Sequence, residues 1–124
     1  MNEELTLNEY QCLAMTTCME SCDNWAYMFL NLVGEVGELA SKVAKHIRKE
    51  KAIIVDNRLC DGSDEMLSKS DIIDMRRECG DIAWQLAGLC HVMGWTLEEV
   101  CRENLAKLAD RQQRHVIDGS GDNR

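Results

Sequence analysis

Proline is absent from the 124 residues, and aromatic residues are scarce, with three Trp, two Tyr and one Phe. Lacking the residue that most strongly breaks helices, the chain is free to be largely helical. Basic residues are also in deficit. Fourteen Lys and Arg face 22 Asp and Glu, a formal charge of −8, which disfavours sequence-independent binding to nucleic acid or anionic membranes, since both need basic patches. No apolar run approaches the roughly 20 residues of a membrane span, and the opening MNEELTLNEY lacks the positive and apolar regions of a signal peptide. Cysteine is plentiful, but the seven residues form no C-x-x-C pair. Cys12, Cys79, Cys90 and Cys101 fall in apolar helical patterns, where free Cys acts as a small hydrophobe. A reduced, cytoplasmic protein is expected. His46, His91 and His115 do not follow a Glu at the E-x-x-H spacing of di-iron bundles, and no compact Cys/His spacing supports structural zinc.

What is present is acidic and paired. Glu35 with Glu38 in GEVGELA, and Glu78 with Asp81 in ECGDIAW, stand three residues apart. On a helix such residues share a face at about 5 to 6 Å between Cβ atoms, so their carboxylates converge and repel. A lone pair of this kind is usually solvated surface. Two pairs on facing helices would make a nest of four oxygen donors, the ligand type preferred by hard divalent ions such as Mg2+. Such a nest fits metal-assisted chemistry on a phosphate ester or anhydride. Gly34, Gly37 and Gly80 flank the pairs; although a mid-helix glycine costs about 1 kcal/mol relative to Ala, it leaves room for a backbone or ligand.

With 45% hydrophobic residues, the length fits one domain over 1–124 with a buried core. Four helices are predicted. Thr6 and Glu9 form a capping-box signature for the first, with Tyr10, Leu13, Ala14 and Met15 apolar. The second runs from Asn24 or Trp25 to Glu50, its buried stripe predicted as Leu32, Val36, Leu39, Val43 and Ile47, with Glu35, Glu38, Lys42 and Lys45 alongside. The third starts near Ser70 and reaches Met93, with Gly94 as terminator, a predicted stripe of Met75, Cys79, Ile82, Leu86, Leu89 and Met93, and Glu78, Asp81 and Gln85 flanking it. Thr96 and Glu99 cap a fourth helix through Val100, Leu105 and Leu108 to about Arg114. The connector over 51–69 is longer than ordinary helix connections and reads as a lid or a contact with another subunit, with an extended piece at Ile53, Ile54 and Val55 and a short helix after Ser63. A calcium loop beginning at Asp56 is rejected, because Arg58 and Cys60 occupy ligand positions and Gly62 comes one place late. The tail over 115–124 is polar and glycine-bearing, and is read either as frayed or as a phosphate or interface element.

GEVGELASKVAKH, ECGDIAWQL and GWTLEEVCRENLAKLADR, in that order, resemble the MazG-like branch of the all-α nucleoside triphosphate pyrophosphohydrolases over about residues 24 to 124. The resemblance implies an all-α bundle of four or five helices, assembled as a dimer or a dimer of dimers. It also implies Mg2+-dependent cleavage of nucleoside triphosphates to the monophosphate and pyrophosphate, with Mn2+ as a substitute ion and nucleotide-pool house-cleaning as the role. Carried over, the metal ligands fall on Glu35, Glu38, Glu78 and Asp81, and the phosphate contacts on Lys45, Asn104, Lys107 and Arg111. Glu38 is taken as general base, with Glu35 inseparable from it by pattern. Arg124 at the chain end is a further candidate phosphate contact, and Trp84, three after Asp81, is read as base-stacking or core. Trp25 and Tyr27 are read as core or interface, and Trp95 as packing beside the cap. The connector is longer than in compact members, and His46 and Arg48 follow Lys45 where relatives vary. The alternative is a non-catalytic helical bundle that senses nucleotides or serves only for interaction, without turnover.

Overall fold

The computed structural model describes residues 4–63 and 67–122. Helices dominate. Thr6 opens α1 (Leu7–Met15) with the reciprocal capping box its sequence predicts, Thr6 accepting from Glu9 N and Glu9 bonding back to Thr6 N. A single 3-10 turn (Glu20–Cys22) leads to Asn24, whose side chain caps α2 (Trp25–Arg48) by accepting from Tyr27 N at 2.8 Å. Ser68 caps α3 (Lys69–Val92), and Thr96 with Glu99 forms the second capping box at α4 (Leu97–Gln113).

Helices α2 and α3, 24 residues each, are about 36 Å long and lie side by side. Met28 packs on Gly88, Lys42 pairs with Glu78 and His46 with Asp71. Numbers rise along one helix as they fall along the other, so the pair is antiparallel. Between them the chain forms a small antiparallel hairpin, β1 (Ile53–Val55) with β2 (Arg58–Cys60), registered Ile53 to Cys60 and Val55 to Arg58. Its turn residues Asp56 and Asn57 both have positive φ, 49° and 62°, the conformation of a type I′ turn that matches strand twist. The extended piece at 53–55 is thus half of a hairpin, whose second strand the sequence reading missed. Most of the short helix expected after Ser63 lies outside the described residues.

The α3–α4 corner is closed by backbone chemistry. Gly94, at φ +76°, follows the last turn of α3, with Gly94 N donating to His91 O and Trp95 N to Cys90 O. This is the Schellman pattern, which spares carbonyls that would otherwise lack partners. Gln11 of α1 locks the same corner. Its amide donates to Ala87 O and Trp95 O, and its oxygen accepts from Leu97 N at 2.8 Å, the first helical N–H of α4. Ala87, Cys90 and Leu97 form the core there, with Tyr10, Val100 and Cys101 packed against it.

The buried faces differ from the predicted stripes. On α2, Met28 is fully buried, whereas Val36 and Ile47 are 49% and 45% exposed. On α3, Cys79, Leu86 and Met93 are exposed, while Glu78, Gln85, Ala87, Gly88 and Cys90 are buried. Half of the predicted α3 stripe, Met75, Ile82 and Leu89, is half-buried, and Glu78 of the predicted polar flank faces α2 through Lys42, whereas Asp81 is exposed. Leu13, Leu105 and Leu108 are likewise exposed, as is Cys12, and no cysteine is in a disulfide among the described residues. Among those residues no helix is long and apolar enough to cross a membrane.

A candidate metal-binding acidic site between the long helices

Helical spacing places Glu35 and Glu38 one turn apart on α2, and the antiparallel packing sets Glu78 of α3 opposite them. One carboxylate oxygen from each of these three residues lies within 4.8 Å of the others. Glu78 is buried, at 7% exposure, and Glu35 half-buried. Oε2 of each is buried without a hydrogen-bond partner among the described residues. Such orphaned oxygens are costly in a dry site, and an all-oxygen donor set of this kind suits a hard divalent cation. The residues therefore fit the ion that the pairing predicts.

The electrostatics agree. Burial first, then the charges of Glu38 and Asp81, pushes the Glu35 carboxyl above the ordinary Glu range. Asp81, one turn beyond Glu78, is exposed and stands outside the tight trio, though its charge reaches Glu35 and, after burial, helps raise the Tyr10 phenol. Three of the four predicted acids converge, with the fourth beside them.

Two supports were not predicted. Lys42 donates to Glu78 Oε1 at 2.7 Å, and that bond raises the Lys42 ammonium above its usual value. Asn31 donates to Glu35 Oε1 at 3.4 Å and to Tyr27 Oη at 3.3 Å. Tyr27, Asn31 and Glu35 are spaced i, i+4, i+8, which puts them on one face; a polar row at that spacing was the available signal. The glycines beside the acids, in contrast, are not crowded. A Cβ at Gly37 or Gly80 would meet nothing within 4 Å, and at Gly34 only Asn31 Oδ1 at 3.5 Å. Gly88 is the crowded position, where a methyl would collide with the Met28 side chain.

The remaining candidates are dispersed. Lys45 is exposed in a cleft with Lys42, His46, Lys49, Asp71 and Asp74. Trp84 donates its indole N–H to Ala14 O at 3.1 Å and Thr17 Oγ1 at 2.9 Å, tying α3 to the end of α1. Asn104 and Lys107 line a groove on α4 with Val100 and Glu103. Lys107 and Arg111 bond Asp122 of the tail. Arg124 lies outside the described residues.

The MazG nucleotide pyrophosphohydrolase domain family matches residues 25–116, a span that contains both acidic pairs and all of α4. Gene 37 protein of Mycobacterium phage L5 is 37% identical over 106 residues, covering 85% of this chain and 81% of the phage protein. No solved structure matches.

Proposed function

Because the chain belongs to the MazG nucleotide pyrophosphohydrolase family, we propose that it hydrolyses nucleoside triphosphates to the monophosphate and pyrophosphate with Mg2+, Mn2+ substituting, as a cytoplasmic nucleotide-pool cleaner. The observation that carries this reading is the trio Glu35, Glu38 and Glu78 with its two orphaned buried oxygens. Glu35, Glu38, Glu78 and Asp81 would hold the ion, which when bound supplies charge neutralisation on the phosphates and a water of lowered pKa. Asn31 fixes Glu35 from one side, whereas Glu38 is exposed and open to water. That contrast supports Glu38 as the general base. It accepts a proton from the water that attacks the α phosphorus, the bond to the α–β bridging oxygen breaks, and pyrophosphate departs with that electron pair. Lys45, Asn104, Lys107 and Arg111 are assigned to the phosphates, with Arg124 a further candidate. Trp84, whose N–H is engaged by α1, could offer a base only a ring face.

The assembly proposed is a homodimer or homotetramer. Trp25, Phe29, Val33 and Val36 line one face of α2 and are each at least 42% exposed, with Trp25 and Phe29 stacked at 5.1 Å. An apolar stripe of this extent fits a second copy better than water.

The test is a panel of ribo- and deoxynucleoside triphosphates with Mg2+ or Mn2+, following pyrophosphate and orthophosphate separately. Pyrophosphate without orthophosphate is expected. Orthophosphate alone would indicate a phosphatase, and metal-dependent binding without turnover across the panel would indicate a nucleotide sensor.

A further inference from the structure

The tail is tied down. α4 ends at Gln113 with Arg114 as its C-cap, and His115 turns the chain back with φ 58°, its N–H donating to Gln112 O while Val116 N donates to Arg111 O at 2.9 Å. Gly119 N then bonds Val116 O, and Gly121 takes φ +79°, a left-handed conformation that glycine adopts without strain. The reversal delivers Asp122 to α4. Its Oδ1 accepts from Arg111 Nη2 at 3.0 Å and from Lys107 Nζ at 3.4 Å.

Two cations thus share one carboxylate oxygen. Arg111 is buried, at 4% exposure, and its Nε–H has no partner among the described residues, whereas Asp122 is exposed. A guanidinium is best satisfied by two parallel bonds to one planar or tetrahedral oxyanion, and here a single oxygen fills one of the two donors on that edge. The pair Lys107 and Arg111 is therefore an anion site with half its capacity used, and its charge exceeds that of its occupant. A phosphate group, with more oxygens and up to two charges, can fill both Nε and Nη2 of Arg111 and still reach Lys107. The bonds of Asp122 also hold its own carboxyl below the ordinary Asp range, so the occupant is anionic at neutral pH.

We infer that the tail is a self-inhibitory strap: Asp122 occupies a phosphate subsite built by Lys107 and Arg111, and the phosphate chain of the substrate must displace it. This regulation rests on the proposed function for the identity of the substrate, but the anion site itself does not. The cost of the strap is a reduction of apparent affinity by the fraction of molecules in which it is open.

Calorimetric titration of the full chain with inorganic pyrophosphate, in chelator so that the acidic site takes no part, tests the strap without turnover. Asp122→Ala should bind pyrophosphate at least about threefold more tightly than the wild type, which corresponds to a strap closed in about two-thirds of molecules. Lys107→Met in the Asp122→Ala background should abolish that gain, and circular dichroism should be unchanged in both, since Lys107 and Asp122 are exposed. Affinity that is unchanged or weaker in Asp122→Ala, a gain that survives Lys107→Met, or no binding by either protein would each overturn the inference. Turnover separates the two readings. If triphosphates are hydrolysed, Asp122→Ala should lower KM by the same factor with kcat unchanged; if none is hydrolysed, the pyrophosphate result still stands or falls alone.

Discussion

Lys42 stands where a cation is needed before any metal arrives. Glu78 is a nearly buried carboxylate, and the ammonium of Lys42, itself partly exposed, is its hydrogen-bond partner. Removing that ammonium leaves a buried charge uncompensated while also removing the group that competes with an incoming ion. Lys42→Met should therefore lower the Tm of the metal-free protein and raise its calorimetric affinity for Mg2+. A variant with unchanged Tm and unchanged affinity would show that the bond is incidental. The acids themselves give a sharper contrast. Glu38→Gln and Asp81→Asn should each cut pyrophosphate release by at least about a hundredfold, with helix content intact. Glu98→Gln, which alters a carboxylate bonded to Asn8 at 2.9 Å far in sequence from either pair, should retain near-normal turnover. Asp122 supplies a pH signature. Lys107 and Arg111 are the charged groups facing it, and its folded pKa is lowered by them, so its contribution to stability is present above the unfolded Asp value of about 3.9 and is lost as pH falls through the lower folded value. The Tm difference between wild type and Asp122→Ala should be flat from pH 5 to 8 and should close below about pH 4; a difference that changes near neutrality would assign the effect to another group.

At the scale of the elements, α2 and α3 are held in register by a contact that the sequence did not advertise. Gly88 lets the Met28 side chain lie against the α3 backbone, with Met28 fully buried. Gly88→Ala should destabilise the fold by about 1 to 3 kcal/mol through overpacking, even though Ala is the better helix former. Met28→Ala alone should also destabilise, by leaving a cavity. The double variant should cost less than the sum, because the shortened side chain makes room for the methyl; strict additivity in urea denaturation would mean that the two do not meet. Such contacts were hidden for a physical reason. Caps are local, so Thr6 with Glu9, and Thr96 with Glu99, announced two helix starts, and Gly94 a stop. The carboxylate spacing was local too, and the trio forms across α2 and α3 as the pattern implied. A hydrophobic period, by contrast, says that a helix has an apolar face without saying which neighbour covers it. Hence, of the predicted stripe on α3, Met75, Ile82 and Leu89 are half-buried but Cys79, Leu86 and Met93 are exposed, while Glu78 and Gln85 are buried. The hairpin turn at Asp56 and Asn57 escaped because three-residue strands offer too little alternation to read.

At the scale of the whole molecule, few large apolar side chains are buried among the described residues. Among the described residues, the buried apolar side chains are Met28, Ala52, Cys60, Leu67, Ala87, Cys90 and Leu97, mostly small. Meanwhile Trp25, Leu30 and Val33 are 54%, 67% and 59% exposed on α2, the helix that also carries Glu35 and Glu38. Burying an exposed large side chain contributes about 1.5 to 3 kcal/mol, so closing this face against a second copy would supply a substantial part of what the isolated chain lacks. Self-pairing along α2 would then couple assembly to the acidic site through one rigid helix. Val33→Asp places a charge in the middle of that face and leaves the acids untouched. Light scattering should show a dimer or tetramer for the wild type and a monomer for Val33→Asp, with a lower Tm that depends on concentration in the wild type alone, since assembly stabilises by mass action. If the wild type is already a monomer at micromolar concentration, or if Val33→Asp keeps its mass, the apolar face of α2 does not hold the subunits together.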